Sequence, residues 1–213
     1  ESRGLGDVYK RQAEMIWFVA LPSSFALCLI PLPLVSALFE HGETSRQDAL
    51  AISYATAIYG LGLPAFMIQK LLQPLYFARE DTKTPLRFAV ISMLLNAILA
   101  IALLNVIGWI AVAVAASASA WVTSILLWIS AKKFGRAASA LKTSTHRIKR
   151  TFFASLVMGI ILWAASQNIY IAMQTSAERV FFAIGLVFAG STIYLVIVYM
   201  LQAFPKNSEK ALN

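Results

Sequence analysis

The sequence predicts an all-α integral membrane protein with six transmembrane helices. Hydrophobic residues make up 59% of the chain and charged residues 13%, whereas a soluble domain usually carries about 25% charged residues. Apolar runs of about 20 residues, long enough to cross the hydrocarbon core of a bilayer, recur along the chain. No stretch alternates apolar and polar residues over about ten positions, as the strands of a transmembrane barrel do.

Length and hydropathy place the six spans. Each is expected to be an α-helix, because hydrocarbon offers the backbone of such a run no partner outside the run. Pro22, Pro31 and Pro33 are expected to bend the first span. The predicted bounds are 14–39, 46–77, 86–106, 109–131, 152–174 and 180–203.

Residues 1–12, ESRGLGDVYKRQ, differ in composition from the rest of the chain. The last six match the translation of a transposon end used in sequencing libraries, and we interpret 1–12 as an assembly artefact. The functional interpretation therefore starts at residue 13. We expect the chain from there onward to be the C-terminal part of a longer protein.

Lysine and arginine counts predict the orientation in the membrane. The stretches 78–87 and 132–150 hold three and seven of these residues, while the stretches at the opposite ends of the spans hold one or none. By the positive-inside rule, the basic stretches and both ends of the chain are expected to be cytoplasmic. Topology thus accounts for most of the net charge of +8, and no nucleic-acid partner is expected because the charge is divided among loops.

Two capping signals define the ends of the second and third spans. Thr84 is expected to cap the third span, with Pro85 at its first helical position. On the other side of the membrane, the stretch TSRQD offers a capping box either at Thr44 and Gln47 or at Ser45 and Asp48.

The second span contains a local helix breaker. Pro64 has no backbone N–H to donate to the carbonyl of Gly60, and Gly60 and Gly62 loosen the same turn. A kink or partly open backbone is expected there. Such breaks often mark a site in transporters, and the alternative is a packing kink that binds nothing, since Gly and Pro are common in membrane helices.

Lys70 is the only charged side chain well inside a predicted span. An ammonium at the centre of a helix costs about 2.5–3.5 kcal/mol on insertion scales, so such a group usually faces a cavity or a partner. Gln73 shares its face at i+3, and Gln69 adjoins it. These residues favour a water-lined cavity suited to an anionic group such as a phosphate, and the alternative is that Lys70 snorkels to the headgroups. In the third span, Asn96 is expected to make a hydrogen bond to another helix.

Catalytic and metal-binding patterns are not visible. The acidic residues lie in loops, at helix ends or in the first 14 residues, so no carboxylate pair or nucleophile–base pair can be placed on one helix face. Neither His41 nor His146 has a cysteine or second histidine at metal-ligand spacing. We therefore predict a protein that is not an enzyme, with no cofactor and no metal site.

Residues 63–87, LPAFMIQKLLQPLYFAREDTKTPLR, closely resemble the MurJ/MviN family of lipid II flippases. The signature is Ala78-Arg79-x-Asp81-Thr82-Lys83-Thr84-Pro85, which follows a helix with an inward lysine. The stretch ALPSSFAL at 20–27 and the order of the six spans match the family too. The resemblance extends over essentially everything after residue 12.

The resemblance implies part of a MATE-like fold (multidrug/oligosaccharidyl-lipid/polysaccharide exporter), in which two lobes of transmembrane helices surround a cationic cavity. On that plan, 13–131 holds four helices of the second lobe and 132–151 is a basic cytoplasmic loop. Residues 152–203 form two additional helices with a groove for a lipid tail, and 204–213 is a cytoplasmic tail. The first lobe and the start of the second lie outside the sequence.

The resemblance also implies a function in the bacterial inner membrane. Lipid II, an undecaprenyl-diphosphate glycopeptide, would be moved from the cytoplasmic to the periplasmic leaflet by alternating access. Lys70, with Gln73 and Gln69, would contact the diphosphate. The helix break and the charged turn would act as a gate or hinge, with the residues Gly60, Gly62, Pro64, Arg79, Asp81, Thr82, Lys83, Thr84 and Pro85. The expected partners are lipid II, membrane lipids and the missing N-terminal lobe of the same chain.

Three other functions remain open at this point. One is a flippase for another polyprenyl-diphosphate-linked glycan of the O-antigen type, which the missing lobe would decide. Another is a membrane-embedded transferase acting on the same lipids, which would need an acid–base or metal-binding loop. The third is a scaffold of the cell-wall machinery that transports nothing, in which loss of the Lys70 ammonium would be harmless.

Overall fold

The computed structural model describes residues 2–134, 145–169 and 175–204, and the secondary structure within them is entirely helical. A 3₁₀ turn, Lys132–Phe134, follows Ala131. The α-helices are α1 Ser2–Leu29, α2 Pro31–Phe39, α3 Arg46–Phe77, α4 Lys83–Ile107, α5 Ile110–Ala131, α6 Thr145–Ile169 and α7 Ser176–Met200. In the described part of the chain, six helices are long and apolar enough to cross a membrane, which confirms the predicted number.

The first predicted span is not one helix. It divides at Ile30 into α1 and the nine-residue α2. The reason is the pair Pro31 and Pro33, because neither residue has an N–H to continue the hydrogen bonding of α1. Pro31 instead begins α2, where a missing N–H leaves no bond unmade. Pro22 lies within α1 without ending it.

The basic loop is shorter than predicted, because 145–151 already belong to α6. Arg147, Lys149 and Arg150 therefore project from the first two turns of a helix. The end of the fifth predicted span, 170–174, lies outside the described residues, as do 135–144 and the tail from 205 onward.

Pro64 does not interrupt α3, which continues as one helix from Arg46 to Phe77. Pro64 has no N–H to donate to the carbonyl of Gly60. That carbonyl instead accepts a hydrogen bond of 2.7 Å from the hydroxyl of Ser24 in α1. An unsatisfied carbonyl in hydrocarbon costs several kcal/mol, so this side chain replaces the bond that the proline removes.

Helix α3 lies at the centre of the bundle, packed against α1, α2 and α5. Helix α4 packs on α5, while α6 packs on α1 and α7 packs on α2 and α6. Two buried clusters result. One joins α1, α3 and α5 through Ala13, Leu71, Leu72, Leu75, Tyr76, Leu127 and Ala131. The other joins the α1–α2 break to the last two helices through Ile30, Ala154, Met158, Leu162, Leu186, Tyr194, Val198 and Ala203.

Small residues bring the helices of the first cluster close together. A Cβ added to Gly62 would lie 2.7 Å from the Ser117 hydroxyl oxygen and 3.2 Å from the Ser117 Cα. At this distance the Ser117 hydroxyl reaches the carbonyl of Ile58 at 2.8 Å. Farther along the same interface, the Ser124 hydroxyl donates to Ala65 O at 2.7 Å. The absence of a side chain at 62 therefore permits hydrogen bonds from α5 to the backbone of α3.

Gly62→Ala is expected to destabilise the protein by about 1–3 kcal/mol, because the new methyl group meets backbone as well as a side chain. The matched control is Gly185→Ala on α7, where an added Cβ meets nothing within 4 Å. Alanine favours a helix by about 1 kcal/mol over glycine at either site, so the control should be neutral or stabilising. Thermal unfolding of both variants in detergent tests the prediction, and equal melting temperatures would contradict it.

Candidate functional site

The charged turn between α3 and α4 has a defined backbone geometry. The Asp81 N–H donates to Tyr76 O at 3.0 Å, and the Glu80 N–H donates to Phe77 O at 3.0 Å. Glu80 itself has a φ of 58°, in the left-handed region. This is the Schellman arrangement that ends a helix, with Glu80 at the left-handed position that glycine usually occupies. The turn is therefore set by the backbone of α3.

Asp81, not Thr84, caps α4. One Asp81 carboxylate oxygen accepts from the Thr84 N–H at 3.1 Å, and the other accepts from the Thr84 hydroxyl at 2.9 Å. The predicted cap at Thr84 is wrong because α4 begins earlier, at Lys83. Pro85 is thus the third helical residue and is buried, still within the turn whose N–H groups have no helical partner. At the other end of α3, the capping box of Ser45 and Asp48 is confirmed.

Sequence reasoning missed the partner of Asp81. The ammonium of Lys133, after α5, lies 2.8 Å from the Asp81 carboxylate. The pKa of Asp81 is lowered from 3.8 to about 2. The hydrogen bond from the Lys133 ammonium contributes most, followed by the hydrogen bonds from the N–H and the hydroxyl of Thr84. The spacing Asp-x-x-Thr signals the cap, but nothing in the sequence couples residue 81 to a residue 52 positions later.

Aromatic rings surround this ion pair. The Arg79 guanidinium lies 4.5 Å from the centre of the Phe134 ring, and the Phe134 ring packs edge-on against Tyr76 at 4.9 Å. The Tyr76 hydroxyl donates to Leu127 O at 2.7 Å. The turn is thereby attached to the end of α5 by an ion pair, a cation–π contact and a hydrogen bond. Thr82 and Lys83 are exposed beside it.

A cleft of about 350 Å³ with a mixed apolar and polar lining lies between α3, α4 and α5. Gln69 and Gln73 line it together, and Gln69 also donates to Ala120 O at 2.9 Å. The other polar residues of the cleft are Ser92, Asn96, Ser119 and Thr123. The Ser92 hydroxyl bonds to Ser119 O at 3.3 Å, whereas Asn96 makes no hydrogen bond within the described residues. The amide groups on this face of α3 thus line the same cleft as hydroxyl groups from α4 and α5.

Lys70 lies outside this cleft. Its side chain is exposed, on a stripe of α3 that also contains Pro74 and Phe77, and Phe66 lies between this stripe and the cleft. Lys70 makes no hydrogen bond or ion pair within the described part of the chain. The structure therefore brings Gln69 and Gln73 together and places Lys70 on the neighbouring face. Gly60 packs against α1 and Gly62 against α5, Pro64 is buried, and none of the three lines this cleft.

An apolar groove of about 510 Å³ lies between α1, α2, α6 and α7. Its hydroxyl groups are all engaged with backbone carbonyls. Ser23 donates to Val19 O at 2.9 Å, Ser191 to Val187 O at 2.8 Å and Tyr194 to Phe18 O at 2.6 Å. The groove therefore offers a ligand methyl and methylene surface. Its apolar lining includes Leu27, Leu34, Met158, Leu162, Leu186 and Leu195.

The charged contacts lie at the two ends of the bundle. Asp81–Lys133 lies at one end, and the same end holds the ion pair of Glu14 with Arg147 at 2.7 Å. The opposite end holds a buried pair of Glu40 with Arg179 at 2.7 Å. Together with the six apolar helices, this arrangement defines a multi-pass helical membrane protein.

Comparison with known proteins gives the family. The family model described as "Lipid II flippase MurJ" matches residues 5–188. A protein of Rhizobium meliloti named "Probable lipid II flippase MurJ" is 33% identical over 196 residues, 91% of this chain and 36% of that protein. One of the same name from Vibrio cholerae is 29% identical over 198 residues, 93% of this chain and 38% of that protein. The chain belongs to the MurJ family.

The fold agrees with this assignment. A solved structure described as "Lipid II flippase MurJ, inward closed conformation" superposes with a TM-score of 0.77 at 23% sequence identity, over 94% of this chain and 40% of that one. The MATE-like fold expected from the sequence is confirmed, and the chain is part of a multi-pass inner-membrane protein. It spans less than half the length of the relatives that it matches.

The stabilisation from the Asp81 carboxylate is expected to be complete above pH 3.8 and to be lost as the pH falls toward 2, because the pKa of Asp81 is lower in the folded protein. Asp81→Asn removes this charge at every pH. The melting temperatures of the wild-type and Asp81→Asn proteins should therefore differ by a constant amount at neutral pH and converge between about pH 4 and pH 2. Scanning fluorimetry in detergent measures the difference, with Glu80→Gln as the neighbouring control. Convergence already at pH 6 would show that another group controls the effect.

Proposed function

We propose that this chain is the C-terminal part of a lipid II flippase, which moves undecaprenyl-diphosphate-linked peptidoglycan precursor from the cytoplasmic to the periplasmic leaflet by alternating access. The observation that carries the proposal is the pairing of two unlike surfaces in one membrane-embedded unit. Lys70 and the polar side chains of the cleft suit a charged, hydroxyl-rich headgroup, and the groove suits a hydrocarbon chain. A polyprenyl-linked glycopeptide has both parts. The names of the relatives support the same substrate.

Lys70 neutralises part of the diphosphate. Its ammonium lies seven residues from the end of α3, a distance of about 10 Å along the helix. A lysine at this depth either snorkels to the headgroups or faces a hydrated cavity, and the neighbouring amide groups of Gln69 and Gln73 favour the cavity. The exposed stripe around Lys70 is therefore the face that α3 presents to the central cavity and to the other lobe of the same chain. Gln69 and Gln73 lie next to that face and bind uncharged polar groups of the headgroup.

The apolar groove holds the lipid tail. The surfaces of α6 and α7 that line it carry no charged residue, and burial of hydrocarbon contributes about 25 cal/mol per Å². The tail would stay in the groove while the headgroup crosses. The substrate then moves through the protein without removal of its chain from an apolar environment.

The charged turn is the cytoplasmic gate or hinge. The basic residues cluster at the end of the bundle that includes Asp81, Lys133 and Arg147, which makes this end cytoplasmic by the positive-inside rule. Both ends of the chain lie on that side. Asp81 and Lys133 join the ends of α3, α4 and α5, so a movement of α3 must either carry this cluster with it or break the ion pair. The contact between Arg79 and Phe134 is likewise either carried along or broken.

The proposed activity is transport without catalysis. Its partners are lipid II, membrane lipids and the rest of the same polypeptide, with no nucleic acid. A flippase for another polyprenyl-diphosphate-linked glycan has the same chemical needs, and substrate tests separate the two.

Lys70→Ala is expected to abolish transport in the full-length protein without loss of membrane insertion, because the diphosphate loses its counter-charge. The test is rescue of growth in a bacterium depleted of its own lipid II flippase, with membrane levels measured by immunoblot. Lys149→Ala, an exposed lysine on α6, is the matched control and should rescue. If the wild-type protein fails to rescue although it is abundant and inserted, another glycolipid or a role without transport is favoured. Rescue by Lys70→Ala would remove the lysine from the mechanism.

Ser191→Phe is expected to weaken the binding of a long polyprenyl diphosphate, because the ring would occupy the groove that Ser191 lines. Thr192→Phe is the control, since Thr192 is exposed on α7 and lies outside the groove lining. The measurement is the Kd of purified full-length protein for undecaprenyl diphosphate. Equal affinities of the two variants would mean that the tail binds elsewhere.

A further inference from the structure

The buried ion pair of Glu40 and Arg179 lies at the end of the bundle away from the basic loops. Glu40 follows the last residue of α2, and Arg179 is in the first turn of α7. Their charged atoms are 2.7 Å apart, and the two side chains are 8% and 14% exposed. Burial removes part of the hydration of both charges, so their attraction is stronger than that of a fully exposed pair.

Neither charge helps its own helix. The C-terminal end of a helix carries partial negative charge and the N-terminal end partial positive charge. Glu40 at the end of α2 and Arg179 at the start of α7 therefore each oppose the dipole of the helix that carries them. The N-terminus of α7 is already capped by Thr175 and Glu178. The pair is thus best explained by what it does between the helices.

Two polar contacts bound the groove along α7. One is the Arg179–Glu40 pair, and the other is the hydrogen bond of the Tyr194 hydroxyl to Phe18 O in α1. They are 15 residues apart, or about 22 Å along the helix. The α7 residues of the groove lie between them, from Leu186 to Tyr194, with only Leu195 one position beyond. The ion pair therefore lies at the Glu40 end of the groove, seven residues before Leu186, or about 10 Å along α7.

We propose that Glu40 and Arg179 are positioning residues that hold α7 against α2 and so set the width of the lipid-tail groove. This inference rests on the proposed function of the groove. Loss of either charge lets the first turns of α7 move away from α2, and a long chain then makes fewer contacts with the groove walls. A short chain, which has fewer of these contacts, is affected less.

The test compares two probes, undecaprenyl diphosphate and farnesyl diphosphate, on the purified full-length protein. Glu40→Gln and Arg179→Gln should weaken undecaprenyl diphosphate binding about tenfold and farnesyl diphosphate binding much less. Arg179→Lys keeps the charge and should retain most of the affinity. The double variant Glu40→Arg with Arg179→Glu restores a pair of opposite charges and places each charge favourably for its helix dipole, so it should bind like the wild type. Glu43→Gln, an exposed glutamate in the same loop, is the control.

Equal weakening of both probes would show a general role in folding, and no weakening of either would overturn the proposal. The position of α7 is measured separately by spin labels at Leu38 and Phe181, which are 66% and 74% exposed. The distribution of distances between the labels should be broader in Glu40→Gln than in the wild type and should be narrow again in the charge-swapped variant. If the wild-type protein binds neither probe, the proposed function fails. The label distances then decide the positioning role alone, and a distribution unchanged by Glu40→Gln would refute it.

Discussion

The structure depends on the satisfaction of backbone carbonyls where hydrocarbon excludes water. Pro64 removes one donor from the middle of α3, and Ser24 supplies another to Gly60 O. Ser117 and Ser124 reach the same helix from α5, and Gln69 and Tyr76 bond in the opposite direction, from α3 to α5. The bonds of the short serine side chains require two backbones to approach closely, and Gly60 and Gly62 permit this approach to α1 and α5. Packing and hydrogen bonding are therefore one constraint at the centre of this bundle.

The charged residues follow a different rule from the apolar ones. They are concentrated at the helix ends, where pairs such as Asp81–Lys133 join elements that are distant in sequence. The buried polar groups in the middle of the bundle are hydroxyls and amides, and Lys70 lies on an exposed face of α3. Stability at the ends depends on charge, whereas stability in the middle depends on close contact. Ion pairs at the helix ends can therefore break in a conformational change while the close packing in the middle of the bundle is kept.

Much of the fold followed from the sequence because hydrocarbon permits few alternatives. Apolar length predicted the six spans, and the capping box at Ser45 and Asp48 was visible in five residues. The break at Ile30 was only partly predictable, since prolines that bend a helix and prolines that divide it look alike in sequence. The cap of α4 was assigned to Thr84 because the helix was expected to begin later. The partnership of Glu40 with Arg179, like that of Asp81 with Lys133, arises from tertiary packing and has no local pattern.

Helix α3 is longer than a bilayer requires. Its 32 residues extend about 48 Å, against about 30 Å of hydrocarbon. Even at a tilt of about 40°, the largest usually seen, roughly 7 Å of the helix would emerge. Its ends therefore lie in the headgroup layers, and the tilt of α3 depends on membrane thickness: a thicker bilayer favours a more upright helix, and a thinner one favours a more tilted helix or one that extends farther from the hydrocarbon. Lipid composition would thereby set the resting inclination of the helix that carries Lys70.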